Sequence, residues 1–142
     1  MIIADSGFWI ALSSRRDRHH ERAIDAMRTW SGEGFITTWP VLTEVTHILT
    51  HRVSSTQASA FVRDIARGAS TVADLPESAL HRIVTLMTRY ADFPMDLADA
   101  SLIVLAEEMD DGRILSTDAR DFDGYRWKSR RPFRNLLLDE RN

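Results

Sequence analysis

Five acidic residues of this chain, Asp5, Glu44, Asp96, Asp99 and Asp118, stand where a carboxylate needs a reason. Asp5 follows directly on the apolar run Ile2, Ile3, Ala4, and Asp118 closes the stretch RILSTD, so both read as the carboxyl ends of short buried strands. Glu44 lies within one helical turn of Val41, Val45 and Ile48. Asp99 is followed at i+3, i+4 and i+7 by Leu102, Ile103 and Ala106. Each of these two acids therefore projects from or beside an apolar helix face, where a carboxylate is costly unless compensated. Each acid also has a local reading. Asp5 and Asp96 suit helix N-caps, Asp99 suits a first turn near the positive end of a helix dipole, and Asp118 suits a turn.

Ionised carboxylates brought together at one sheet edge repel one another, and burial sharpens the repulsion, so such a cluster persists only with protons or cations. Oxygen-only ligands favour hard divalent ions, Mg²⁺ or Mn²⁺. The sequence has no cysteine, and His19, His20, His47, His51 and His81 show no metal-ligand spacing, so zinc is disfavoured. A carboxylate site holding such an ion typically activates water and stabilises the charge that develops on a phosphoryl group during in-line displacement.

The elements that must position these acids alternate. IIA reads as a strand, followed by helices over SGFWIALSS and RHHERAIDAMRTW, broken around Arg15 to Asp17. GFITTWP is short, β-branched and bounded by Gly34 and Pro40, as a second strand should be. A helix starts at Val41, another spans SSTQASAFVRDIARG and stops at Gly68, and ASTVADL is a third strand. PESALHRIVTLMTRY and DLADASLIVLAEEM are helical, GRILSTD is a strand, and RRPFRNLLL gives a last strand at a sheet edge, where Pro132 is tolerated. Strands alternating with helices predict an α/β fold with a parallel sheet, helices on both faces and right-handed crossovers. Sheet ligands then bind at the strands' carboxyl ends, where Asp5 and Asp118 fall.

Length and composition set the frame. The chain has 142 residues, 44% hydrophobic and 27% charged, the composition of an ordinary globular protein and the length of one domain, residues 1–142. A net charge of -3 argues against a generally basic nucleic-acid coat but leaves room for a local patch. That patch is GYRWKSRRPFR, where Arg126, Lys128, Arg130, Arg131 and Arg134 surround Tyr125, Trp127 and Phe133. Two readings of it stay open: cations and aromatics that hold an RNA backbone and stack its bases, or an edge strand whose charges discourage aggregation. Of Trp9, Trp30, Trp39 and Trp127, most should be core, with one or two at a partner surface. Without cysteine, a basic leader or a long apolar run, the chain is expected in the cytoplasm and not in a membrane.

The segments IIADSGFWIAL, TEV, MDLADASLIVLAEE and ILSTDARDF, in this order and spacing, resemble the PIN domain, and within it the VapC-like ribonuclease toxins of bacterial toxin–antitoxin pairs. The resemblance covers nearly the whole chain. It implies a PIN-like three-layer fold with a central, mostly parallel sheet of 4–5 strands, and a Mg²⁺- or Mn²⁺-dependent endoribonuclease that cuts RNA through a metal-activated water, leaving 5′-phosphate and 3′-hydroxyl ends. It places the catalytic acids at Asp5, Glu44, Asp99 and Asp118. Asp5 and Asp99 would be the principal metal ligands and Asp118 would complete the site; Asp96 is either an additional ligand or a helix cap. Glu44 would orient a water or hold a second ion. Ser116, standing where the family often has threonine, would support the ligands. The implied partners are an RNA substrate, a cognate antitoxin protein and further copies of the chain in a homodimer or higher homo-oligomer. Two other readings compete. A phosphoacceptor receiver domain would carry a strand-end lysine, whereas the single lysine here is Lys128, and a PIN-like binding module would be expected to have lost acids that this chain keeps.

Overall fold

The computed structural model describes residues 1–139. Strand β1 (Ile2–Ala4) leads through helices α1 (Ser6–Ser13) and α2 (His20–Trp30) to β2 (Phe35–Thr38). Helices α3 (Trp39–Arg52) and α4 (Ser55–Asp64) then lead to β3 (Thr71–Ala73), and α5 (Ala79–Arg89) and α6 (Leu97–Met109) to β4 (Arg113–Leu115). The chain finishes with α7 (Ala119–Gly124), β5 (Arg126–Trp127), β6 (Arg131–Pro132) and β7 (Arg134–Asn135). Five strands form one sheet in the order β3-β2-β1-β4-β7, parallel at every pairing, with helices on both sides. The three-layer α/β arrangement expected from the alternating pattern is the one observed.

This strand order decides where the acids go. β1 and β4 are neighbours at the centre, with Ile3 opposite Ile114 and Ala4 opposite Leu115. Asp5 donates its backbone N–H to the Leu115 carbonyl at 3.0 Å. Two segments more than a hundred residues apart thus end side by side. The centre is dry: Ile2, Ile3, Ala4, Ile114 and Leu115 have no exposed surface. α6 is buried from Ala100 to Ala106, because it packs against α3, α5 and β2 at once. An apolar burial of this extent holds the helix far more firmly than its intrinsic propensity would.

Several boundaries differ from the expected ones. β2 ends at Thr38, and Trp39 and Pro40 open α3, because the first turn of a helix asks proline for no N–H. α2 begins at His20, and α5 begins only at Ala79, after a turn over Pro76 to Ser78. α4 passes into a wide π-turn, Ile65–Ala69, which Gly68 ends at φ 103°. The predicted last strand is split. Arg131–Pro132 pairs antiparallel with β5 in a separate ribbon, and only Arg134–Asn135 joins the sheet beside β4. α7 was not expected. Its six residues carry one buried apolar side chain, Phe122, too few to show a period.

Two glycines are required by close approach. A Cβ on Gly7 would lie 1.9 Å from Thr117 Oγ1, so only glycine lets the first turn of α1 pack against the loop after β4. A Cβ on Gly112 would lie 2.1 Å from Trp127 Nε1. No helix among the described residues is long and apolar enough to cross a membrane.

Candidate active site

The site is assembled at the carboxyl edge of the sheet. Asp5 leaves β1 in extended conformation and caps α1, its Oδ1 accepting the Ser6 N–H at 2.7 Å. Its Oδ2 accepts the Ser116 hydroxyl at 3.0 Å, and Ser116 Oγ in turn accepts the Asp118 N–H at 3.0 Å. Ser116 therefore ties the end of β4 to the end of β1. Asp118 caps α7, accepting the Asp121 N–H at 3.1 Å. From α3, Glu44 accepts a hydrogen bond from Ser6 Oγ, which also lies 3.4 Å from Asp5 Oδ1.

Asp96 and Asp99 form a capping box at the start of α6. Asp96 Oδ1 accepts the Asp99 N–H at 2.8 Å, and Asp99 Oδ2 faces the Asp96 N–H at 3.4 Å. The local reading of Asp96 as the N-cap is thus observed, and such a reciprocal cap holds the first turn of α6 rigid at the site. The Tyr125 hydroxyl donates to the Pro94 carbonyl at 2.6 Å and lies 3.4 Å from Asp99 Oδ2. Asp5, Glu44, Asp96, Asp99 and Asp118 all line one cavity of about 660 Å³, together with Asp121.

Charge is crowded here, and protonation reports it. Burial is the main force raising the Asp5 carboxyl to about 6, against the hydrogen bonds from Ser6 and Ser116 that favour its ionised form. Glu44 is pushed up to about 7, again first by burial and then by the adjacent Asp96. Asp99 is pushed up to about 8 by burial and by the charges of Asp96 and Asp5. Asp121 rises to about 6 through burial and its neighbour Asp118. Burial followed by the Asp99 charge also raises the Tyr125 hydroxyl, which stays neutral and a donor. Carboxylates that hold protons near neutrality are carboxylates short of positive charge.

Among the described residues no three His, Asp or Glu side chains are gathered closely enough to hold an ion as they stand. Each of Asp5, Glu44 and Asp99 instead rests against a hydroxyl, from Ser116, Ser6 and Tyr125. The donor set nevertheless fits a hard divalent cation. The cavity lining offers carboxylate and hydroxyl oxygens and no imidazole, and the surplus negative charge that protons partly relieve is what such an ion would neutralise.

The predicted basic residues are elsewhere. Arg126, Lys128, Arg130, Arg131 and Arg134 are absent from the cavity lining. Arg126 donates to the Asp123 and Tyr125 carbonyls, and Lys128 and Arg131 lie 2.6 and 3.5 Å from Asp110. Of the patch's three aromatics, Tyr125 is 0% and Trp127 6% exposed, because both complete the core around Phe122 and Gly112, and Phe133 is half-buried against Phe122. Of the tryptophans, Trp9 and Trp127 are buried and Trp39 is 63% exposed. Three contributors went unread in the sequence. Ser6 was hidden by its adjacency to Asp5, Asp121 by looking like a first-turn partner of Asp118, and Tyr125 by standing among cations.

Comparison with known proteins fits this geometry. The family model described as the PIN domain matches residues 2–128. Ribonuclease VapC26 of Mycobacterium tuberculosis is 24% identical over 125 residues, covering 88% of this chain and 92% of that protein. The crystal structure of Mycobacterium tuberculosis VapC20, described as a sarcin–ricin loop cleaving toxin, superposes with a TM-score of 0.76 at 18% identity, over 84% of this chain and 92% of that one. At that identity the superposition speaks for the fold.

Proposed function

The chain belongs to the PIN domain family, and on that premise we propose that it is a divalent-metal-dependent endoribonuclease, the toxin of a toxin–antitoxin pair acting in the cytoplasm. One observation carries the reading: Asp5, Glu44, Asp96, Asp99 and Asp118 line a single cavity at the sheet's carboxyl edge, with Asp5, Glu44 and Asp99 raised toward neutrality. The ribonuclease name of its VapC26 relative agrees with it.

Asp5 and Asp99, with Asp118, would hold Mg²⁺ or Mn²⁺, and Asp96 has its Oδ2 free of the cap to join them. An ion there supplies Lewis acidity toward a phosphoryl oxygen and lowers the pKa of a bound water. The protein's own part is positional. Ser116 fixes the Asp5 carboxylate through Oδ2, and the Asp96–Asp99 box fixes the start of α6. Glu44, half-buried and held by the Ser6 hydroxyl, would orient a water, accept a proton from it or hold a second ion. Ser6 donates to Glu44 while its own N–H is held by Asp5, so the base and the ligand are set by one residue.

An incubation of the purified protein with a mixed RNA pool tests this. We expect cleavage with Mg²⁺ or Mn²⁺ and none with EDTA, slowed growth on expression alone, and restored growth with the small protein encoded beside it. An inert, folded protein that binds RNA without cutting it would instead make the fold a binding module. The exposed apolar side chains Trp39, Leu80 and Leu97 border one groove and suit a homo-oligomer contact. Sedimentation as a monomer at micromolar concentration would remove that part of the proposal.

A further inference from the structure

The acid-lined cavity does not end at the acids. It continues over Ile10, Asp17, Ile48 and Arg52 into a second cavity of about 470 Å³, whose lining also includes Arg15 and Arg16. Two packed helices build this groove. α3 presents Glu44, Ile48 and Arg52 at i, i+4 and i+8, one above another on the same face. At 1.5 Å per residue Arg52 stands about 12 Å along the helix from Glu44. α1 presents Ser6 and Ile10 likewise, and the chain leaving it carries Arg15 and Arg16. Both walls therefore run from an acidic end, over an isoleucine, to cations.

These cations are uncommitted. Arg15, Arg16 and Arg52 are exposed, and among the described residues none joins an ion pair, whereas Arg82, Arg113, Lys128 and Arg131 each lie against a carboxylate. The one acid in this stretch, Asp17, turns its Oδ1 to the His19 N–H of its own loop. Such an arrangement answers a need created by the site itself. A basin lined by carboxylates repels a polyanion, so a nucleic-acid strand held across it must be drawn in by positive charge on its flank.

Resting on the ribonuclease reading, we infer that the α1–α3 groove carries the substrate strand away from the scissile bond. The phosphates of single-stranded RNA are held by Arg52 and by Arg15 and Arg16, with Ile10 and Ile48 against a base or sugar face. The apolar floor beside the cations selects a single strand, since a duplex keeps its bases stacked inside and offers only its backbone.

Fluorescence anisotropy of a labelled oligoribonucleotide, titrated in EDTA over a range of salt, tests the groove without cleavage. Arg52→Gln is expected to weaken binding several-fold and to reduce the log–log salt slope by about 0.7, the share of one single-strand phosphate contact. Arg52→Lys should keep most of both. The double variant Arg15→Gln/Arg16→Gln should lose about twice as much slope. The Mn²⁺-induced rise in melting temperature should stay as it is in all three, which also reports that they fold. Unchanged affinity and slope in both glutamine variants would overturn the groove, as would a loss confined to neutralisation by the partner protein. The two proposals fail separately. Cleavage by a chain whose arginine variants bind RNA normally leaves the ribonuclease and removes the groove; arginine-dependent binding without cleavage does the reverse.

Discussion

Replacing Asp5 by asparagine is expected to lower RNA cleavage by a factor on the order of 10² or more while the protein stays folded, the scale of losing one strong electrostatic contributor. On the proposed reading Asp5 has two jobs, cap and ligand, that this substitution separates. As a cap it accepts the Ser6 N–H at 2.7 Å, and asparagine caps a helix about as well as aspartate. As the most buried acid of the site, 5% exposed, it brings a charge that a neutral amide cannot bring to a hard cation. Removing that charge also removes like-charge repulsion, so in EDTA above pH 7 the variant should melt no lower than the parent. With millimolar Mn²⁺ it should gain less. Cleavage retained at near the parental rate would show Asp5 to be a cap and overturn its assignment as a ligand.

The second large effect is a pH dependence that metal reverses. Burial first, then neighbouring acids, pushes Asp5 and Asp121 up to about 6, Glu44 to about 7 and Asp99 to about 8, from ordinary values of 3.8 for Asp and 4.5 for Glu. A carboxyl whose folded pKa is raised holds its proton more tightly in the folded state. Between about pH 4 and pH 8 the folded chain therefore carries more protons than the unfolded one, and stability falls as pH rises through that window. In EDTA the melting temperature should drop between pH 5.5 and 8 by on the order of 5 °C, the shift that roughly 1–2 kcal/mol produces in a domain of this size. In the proposed site Mn²⁺ would compete for the same oxygens, so its stabilisation should grow with pH, approaching roughly 2.7 kcal/mol at a hundredfold excess over its Kd. Asp99→Asn should flatten the fall between pH 7 and 8 and blunt the Mn²⁺ response. A metal-free melting temperature that climbs across this range would contradict the crowding of the acids.

Much of this was legible in the amino-acid order because it is local. A short apolar run ending in aspartate marks a strand end whatever the rest of the chain does, so Asp5 and Asp118 could be placed at the sheet's carboxyl edge. The 3.6-residue period put Glu44 and Asp99 beside apolar faces in the same way. The alternation of periods was enough for a parallel α/β sheet. Pattern alone could not say that β1 and β4 would be neighbours, since strand order is settled by which helices cover which face across more than a hundred residues, and that pairing brings Ser116 to Asp5.

Tertiary structure also decided the fate of residues whose type misleads. Tyr125 and Trp127 sit among cations in the sequence, where a stacking surface and a charged edge strand were both open readings, yet burial of their rings against Phe122 and over Gly112 outweighs what exposure could offer, and their polar atoms find carbonyls of Pro94 and Pro132. Asp96 read as cap or ligand, and the reciprocal hydrogen bonds with Asp99 show the cap while engaging only its Oδ1, so the cap does not exclude the ligand. Arg52 is a last-turn cation of α3, which by itself says nothing of its surroundings. Only the packing of α1 on α3 sets it at the far end of the groove that begins at Glu44, because a helix spaces its own residues but its neighbours determine what lies between them.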